Sequence, residues 1–406
     1  MDFIKKNLNI IIPAVIALVG VGLLVPTMMV RSSISEELSE SVQMGREVDS
    51  AVRSVVPSRQ FEVVKSYQDA HEEDANSIVA AGINTTKRSL LSYKIFPDPN
   101  ETSTQIFNEF CDAFKKTFNS FIKDMSALDA PTDIEIQQEA GTDVVSVSTR
   151  RDSRYGRDTD GQDEKIIELV CKRHSEEISV YANPAAFGGY GFWDNWEYRG
   201  KSQAVTDCWY SQLACWINKD VVDTIVSLNK GSGNVADSAV KRLLGVRFDN
   251  ENANVAGLEE NIAMPFYTTE STPGLIEDWT GRKTDGKIDV LQFSLAVIIR
   301  SDEVLKFMEE LCSEKTHTFS GFKGDSQQKT FKHNQITILK SNIDPVDLKS
   351  PEHYKYRYGD NAVVKLNLIC EYIFNRKGYD SILPESVKKQ IRPASAPTTF
   401  GGRRRY

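Results

Sequence analysis

The chain has 406 residues, of which 40% are hydrophobic and 26% are charged, and its formal net charge is -8. These values are ordinary for globular protein, so they exclude intrinsic disorder as the state of the whole chain. The acidic balance argues against a dedicated nucleic-acid binder, which would carry a basic face. The length predicts two or three domains.

The first long apolar run covers residues 10–30 and contains no charged side chain. A helix of about 20 apolar residues spans the hydrocarbon core of a bilayer. The sequence therefore predicts a single N-terminal transmembrane helix at 10–30, behind a tail of residues 1–9. Lys5 and Lys6 precede the run, and the positive-inside rule places that tail in the cytoplasm. A cleaved signal peptide is the alternative, but its apolar core is usually only about 7–15 residues long.

Residues 31–130 are predicted to be a helical, coiled-coil stalk region. Its first helix covers 33–56, and five apolar residues follow a 4-3-4-3 spacing there. This seam consists of Ile34, Leu38, Val48, Val52 and Val55. Ser41 and Gly45 are its weak members, so the pattern is typical of a marginal coiled coil. It predicts dimerisation with a similar partner, and the alternative is a stalk that packs on its own chain.

Two more helices complete the stalk region. The first, at 59–81, is polar. The second, at 102–125, has a phenylalanine stripe at three- and four-residue steps, which predicts a core or helix-pairing surface. Residues 131–161 then lose periodicity and contain a cluster of arginines, which predicts a linker with a solvated loop.

A first α+β domain, a degenerate ferredoxin-like unit, is predicted at 162–260. Helices are expected at 164–173 and 202–228, and strands at 178–181 and 239–248.

An aromatic loop lies inside this domain at 182–200. It is rich in glycine, tyrosine and tryptophan, and Trp193 and Trp196 are its largest members. The 190–198 cluster could form an exposed platform for a glycan or a peptide. The alternative is a loop that closes over its own domain, because aromatic side chains bury large areas.

A second ferredoxin-like domain is predicted at 285–380. An alternating strand at 291–299 precedes an amphipathic helix at 301–311, and strands follow at 335–343 and 362–374. The order strand, helix, strand, strand predicts an antiparallel sheet with one solvated face.

The C-terminal tail, residues 390–406, is rich in proline, serine, threonine and glycine, and it ends in Arg403, Arg404 and Arg405 before the final tyrosine. This composition predicts disorder, with docking of the arginines onto an acidic or lipid partner as the alternative. The chain contains no HExxH, no GxSxG, no calcium loop and no cysteine pair with zinc-ligand spacing. We therefore predict no catalytic residue, no metal ligand and no cofactor.

The segment LQFSLAVIIRSDEVLKFMEELC at 291–312, followed by QITILKSNI at 335–343, completes this layout. Together they resemble the bitopic assembly-platform proteins of bacterial type IV pili and type II secretion, the PilO/GspM type. The resemblance implies a scaffold in the bacterial inner membrane, with a cytoplasmic N-terminus and most of the chain in the periplasm. It also implies pairing with other pilus or secretion proteins through stalk and ferredoxin-like domains.

Two hypotheses about function follow. The first is a non-enzymatic, membrane-anchored scaffold that forms homo- or heterodimers with assembly proteins and binds neither nucleic acid nor a small-molecule substrate. The second is a periplasmic or surface binding module that uses the 190–198 aromatic cluster for a glycan or a peptide.

Overall fold

The computed structural model describes residues 8–54, 58–100, 103–138, 160–249, 261–277 and 279–391. The chain divides into two compact units, Met1–Ser77 and Ile78–Tyr406. The first contains the helix α1 (Leu8–Ser54) and most of α2 (Ser58–Asn84). We call the described part of this unit the helical arm and the described part of the second unit the body.

The prediction of a transmembrane helix at 10–30 is corrected by the structure. Within the described part of the chain, no helix is both long and apolar enough to cross a membrane. The apolar run forms part of α1, a continuous helix of 47 residues that extends into the charged segment beyond Arg31. The predicted boundary between a span and a stalk therefore falls inside one helix. Most side chains between residues 10 and 30, and residues 1–7 of the tail predicted at 1–9, lie outside the described residues.

The body is α+β, as predicted. Its elements in chain order are α3 (Gln105–Asp124), β1 (Ala127–Leu128), α4 (Asp160–Glu177), β2 (Val180–Tyr181), α5 (Lys201–Leu228), β3 (Val240–Arg247), β4 (Ile288–Arg300), α6 (Val304–Leu311), β5 (Lys315–Phe319), β6 (Lys329–His333), β7 (Ile336–Pro345), β8 (Val363–Asn375) and α7 (Glu385–Ile391).

Six of the strands form one mixed sheet in the order β1-β2-β3-β4-β8-β7. β1, β2 and β3 are parallel, whereas β3, β4, β8 and β7 pair antiparallel. β5 and β6 form a separate antiparallel hairpin.

The prediction of two ferredoxin-like modules is wrong. β3 comes from the predicted first module and pairs with β4 of the second, from Val240 opposite Ile299 to Arg247 opposite Ser294. The physical reason is the length of the strands. β1 and β2 have two residues each, too few to form a sheet of their own beside β3.

The prediction of one solvated sheet face is also wrong for β4. Its residues Val290–Phe293 and Leu295–Ile299 are buried, so both faces of this strand are covered. One face belongs to the main core, and Ile298 on the other packs in a smaller cluster with Tyr181 and Tyr358. A strand covered on both faces shows a continuous apolar run, and the sequence of β4 has one.

α5 is the central helix of the body. Its buried residues lie all around its axis and include polar ones such as Gln212, Asn218 and Asp220. A helix that is buried all round lies inside a domain, where every polar side chain needs a partner. The predicted phenylalanine stripe of α3 is confirmed as core: Phe107, Phe110, Phe114, Phe118 and Phe121 are buried.

The segment that follows α2 packs against the turn after β8. The Thr86 hydroxyl donates to the Asn375 carbonyl at 2.8 Å. A Cβ placed on Gly378 would collide with the Thr86 hydroxyl and with the Ile83 carbonyl oxygen, and a backbone atom cannot move aside cheaply. The close approach therefore requires glycine at this position.

We predict that Gly378→Ala lowers the free energy of unfolding by about 1–3 kcal/mol, the usual cost of overpacking. Gly233→Ala is the matched control, because its added Cβ would meet nothing within 4 Å. Urea denaturation of both variants measures the difference. Equal stability of the two variants would contradict this packing.

Candidate functional site

The predicted seam of α1 forms an exposed apolar stripe. The exposed fractions are 53% for Ile34, 62% for Leu38, 62% for Val48 and 64% for Val52. At 3.6 residues per turn, these four residues fall within about 80° of one another around the helix axis. Val55, the fifth predicted member, lies outside the described residues. Val42 and Met44, also exposed, lie on either side of the stripe and widen the apolar face of the helix in this region.

The two predicted tryptophans of the aromatic loop lie between helices of the body. Trp193 is buried, and its indole N–H donates to the Ser211 hydroxyl on α5 at 3.0 Å. The Trp196 N–H donates to Asp207, also on α5, at 2.9 Å. The Trp193 ring lies 5.8 Å from the Phe110 ring of α3, measured between centroids. This placement favours a loop that closes over its own domain.

We predict that Trp193→Ala lowers the free energy of unfolding by about 3–5 kcal/mol, the cost of removing a large buried ring. Trp279→Ala serves as the control, because that side chain is 95% exposed, and its effect should stay within about 0.5 kcal/mol. Chemical denaturation followed by far-UV circular dichroism measures both. A Trp193→Ala protein as stable as the control would mean that the ring is available to a ligand.

The other predicted interaction residues, Arg403, Arg404 and Arg405, lie outside the described residues. Docking of these arginines onto a partner therefore stays a prediction.

A buried ionic network, absent from the sequence predictions, lies at the centre of the body. Arg88, in the segment after α2, forms a salt bridge with Asp220 of α5 at 3.2 Å. The Tyr372 hydroxyl of β8 donates to the same Asp220 oxygen at 2.5 Å. Arg88 also donates to the Gln335 side-chain oxygen at 2.7 Å. Two distant parts of the chain, the segment after α2 and the strand β8, thus converge on one carboxylate of α5.

Electrostatics keep this network ionised at its centre. Burial acts to raise the pKa of Asp220, but Arg88 and His333 outweigh it, so the net pKa lies below the ordinary value. Burial raises the pKa of Tyr372 well above its ordinary value, which keeps the hydroxyl protonated as a donor.

A histidine pair extends the network towards the segment after α2. The Nε2 of His333 lies 3.0 Å from Asp220, and the Nδ1 atoms of His333 and His317 lie 2.9 Å apart. The Nε2 of His317 lies 3.1 Å from the Lys87 carbonyl oxygen. The two ends of this hydrogen-bonded series, the Asp220 carboxylate and the Lys87 carbonyl, are both acceptors. Its three contacts therefore need three N–H protons, whereas two neutral imidazoles carry only two.

The pair is neutral near pH 7. Burial lowers the pKa of His317 to about 4, with Arg88 as the next cause. Burial also lowers the pKa of His333, although Asp220 opposes that shift. One of the three contacts therefore lacks a proton at neutral pH.

We predict that the body loses stability as the pH falls from about 6.5 to 4. Both histidine pKa values are lower in the folded protein than the unfolded value of about 6.5, so the unfolded chain binds protons first over this window. His317→Gln should remove about 1–2 kcal/mol of that loss. Thermal unfolding across this pH range measures the effect.

The matched control is His71→Gln, because His71 is exposed on the helical arm. It should leave the pH dependence unchanged. A pH profile that is the same in wild type and His317→Gln would rule out this role for the pair.

A polar cavity of about 350 Å³ lies beside the parallel strands. Asp129 follows β1 and Asn183 follows β2, and both line it. Their side chains are joined, since the Asn183 amide donates to Asp129 at 2.6 Å and the Tyr356 hydroxyl donates to it at 2.9 Å. Arg242 and Asn261 also line the cavity.

The sequence contained one weak signal for these buried groups. Asp220 falls on the apolar face of a helix, between Ile217 and Val221, where a charge is expected to have a buried partner. Arg88, His333 and Arg242 follow no motif spacing. Among the described residues, no group of three His, Cys, Asp or Glu is placed to hold a metal ion.

Comparison with known proteins adds little. No family model matches the chain, and no curated protein matches it. A crystal structure of a protein from Akkermansia muciniphila aligns with 66% of this chain and 96% of that chain, at 9% sequence identity and a TM-score of 0.23. A likeness this weak carries no argument about fold or function. The resemblance to assembly-platform proteins stays a prediction.

Proposed function

We propose that this protein is a non-enzymatic scaffold that assembles through its helical arm. The apolar stripe of α1 carries the proposal. Each of its aliphatic side chains would gain about 1.5–3 kcal/mol if it moved from water into a fully buried site. A 4-3-4-3 stripe is the surface that a second helix covers in a coiled coil.

The occupant that best fits this stripe is another helix with the same spacing, from a second copy or from a related assembly protein. Ser41 and Gly45 interrupt the stripe, so a pair of arms would be held mainly by the residues at its two ends. Such pairing suits a component that exchanges partners in a larger assembly. A pilus or secretion machine is the setting that the resemblance at 291–343 suggests, and the proposal does not require a membrane.

The organisation of the body supports a structural role. The Asp220 carboxylate accepts from Arg88, Tyr372 and His333, and all four side chains are buried. These side chains bond mainly to one another, which is typical of a network that fixes a fold, although the Arg88 Nε has no hydrogen-bond partner among the described residues. A binding module built on the aromatic loop is the weaker candidate, because Trp193 is buried and Trp196 is half-buried.

We predict that the double substitution Leu38→Asp and Val48→Asp weakens arm-mediated association at least about 100-fold, because two charges would enter an apolar interface. The double substitution Ser39→Asp and Ser50→Asp is the matched control. It adds the same charge to the opposite side of α1 and should leave association unchanged. Sedimentation velocity over a range of concentrations measures self-association.

Cross-linking through a cysteine placed at Gly45 would identify a different helical partner. The proposal would be overturned if the wild-type chain does not self-associate and the Gly45→Cys variant cross-links to no helical protein. An equal effect of both double variants would show that added charge, and not the stripe, governs association.

A further inference from the structure

We propose that the polar cavity beside the parallel strands binds a small oxyanion, through a carboxylate or phosphate group that pairs with Arg242. The inference concerns the body alone and is independent of the helical arm.

Arg242 carries the argument, because it is a buried cation that forms no ion pair with a carboxylate in the part of the chain that the structure describes. Its exposed fraction is 9%. One guanidinium N–H donates to the Glu352 carbonyl at 3.2 Å, and the group lies 3.6 Å from the centre of the Tyr356 ring. No Asp or Glu side chain among the described residues forms an ion pair with it. An unpaired buried charge is costly, so such a site favours binding of an anion.

Two of the other buried arginines of the body provide an internal comparison. A third, Arg247, is 8% exposed and lines the same cavity as Arg242. Arg88 and Arg376 are each 4% exposed, and each has a carboxylate partner, Asp220 and Asp289 respectively. The fold thus neutralises both of these guanidinium groups internally. Arg242 differs from them because it faces a cavity.

The nearest acid in the cavity cannot take the place of a ligand. The Asp129 carboxylate accepts from Asn183 at 2.6 Å, from the Tyr356 hydroxyl at 2.9 Å and from the backbone N–H of Ala130 at 2.8 Å. These three donors satisfy most of its capacity as an acceptor, and it forms no ion pair with Arg242.

Asn261 provides a second, independent observation. It is 3% exposed, and its amide N–H donates to the Val246 carbonyl at 2.6 Å. That bond fixes the orientation of the amide, and the side-chain oxygen is buried without a hydrogen-bond partner among the described residues. An unsatisfied buried acceptor such as the Asn261 side-chain oxygen is costly, so a ligand that donates a hydrogen bond to it would be favoured. The ligand is therefore expected to carry a hydroxyl group as well as its anionic group, as a hydroxycarboxylate or a protonated phosphate does.

The position in the sheet agrees with a ligand site. β2 ends at Tyr181, which pairs with Arg242, and β3 continues beyond this point to Arg247. The cavity lies where the carboxyl ends of β1 and β2 leave that part of β3 uncovered by a strand. Crevices at the carboxyl ends of parallel strands are the usual ligand sites of such sheets. A volume of about 350 Å³ suits a small molecule.

The test uses the full chain and two probes, inorganic phosphate and tartrate, with sodium chloride at equal ionic strength as the reference. We expect the melting temperature to rise with the logarithm of probe concentration, because a ligand that binds only the folded state stabilises it. A response to one probe supports the site and identifies the anionic group. No response to either probe overturns the proposal.

Arg242→Met is the decisive variant, since it removes the charge and keeps an apolar stem of similar length. It should lose the response to the probe, and its melting temperature without probe should equal or exceed that of wild type. Arg300→Met is the matched control, because Arg300 pairs with Asp302 away from the cavity, and it should keep the response. Equal responses of the two variants would overturn the assignment.

Arg242→Lys provides a second test that keeps the buried charge. A lysine lacks the paired donors of the guanidinium group, so half-maximal stabilisation should need at least about tenfold more probe. A lysine variant that responds like wild type would contradict recognition by Arg242.

Discussion

The ion pair between Arg88 and Asp220 is the constraint on which the arrangement of the body depends. Taking two charges out of water costs several kcal/mol per ion, and their attraction offsets this cost only when the geometry is good and other hydrogen bonds are complete. Here Tyr372, Gln335 and His333 supply most of those bonds, and the Arg88 Nε is left without a partner among the described residues. The segment after α2, the helix α5 and the strands β6 to β8 must therefore meet in one arrangement. We infer that the network specifies the fold more than it adds to its stability.

A second buried network, also centred on one carboxylate that pairs with an arginine and a tyrosine, lies at the end of the β4–β8 pair. Asp289 at the start of β4 accepts from Arg376 and from Tyr379, which follow β8. The turn that contains Arg376 and Gly378 also receives the segment after α2, through the bond from Thr86 to Asn375. Two ionic networks and one close backbone contact thus fix the same region of the sheet. The last residues of α2 belong to the body because of these contacts.

The sequence predicted those elements whose periodicity is local and strong. The phenylalanine stripe of α3, the long helix α5 and the apolar strands β4 and β8 were found within a few residues of their bounds. The single sheet could not be predicted, because the pairing of β3 with β4 depends on the weakness of β1 and β2. The hairpin of β5 and β6 was missed, since KTHTF and KTFKH alternate without a clear apolar face.

The candidate sites were harder to predict than the fold, for a physical reason. Asp220 lies 132 residues from Arg88 and 113 residues from His333 in the sequence, so no spacing relates them. The tryptophans make the same point: Trp193 is buried, whereas Trp279 is exposed. Composition cannot distinguish the two side chains. The proposed role of Arg242 depends on its having no carboxylate partner among the described residues. The sequence does not show which side chains lie near each other in the fold, so it could not predict this.

The arm and the body depart from the ordinary rule of burial in opposite directions. The body buries charges such as Asp220, and the arm exposes apolar side chains such as Leu38. A buried polar group and an exposed apolar surface are the two observations that normally require a partner. In the body, Asp220 has its partners within the chain, while Arg242 has no carboxylate among the described residues. The apolar stripe of α1 is exposed, whereas Arg242 is buried beside a cavity, so the two sites call for different occupants: an anion at Arg242 and a helix at Leu38.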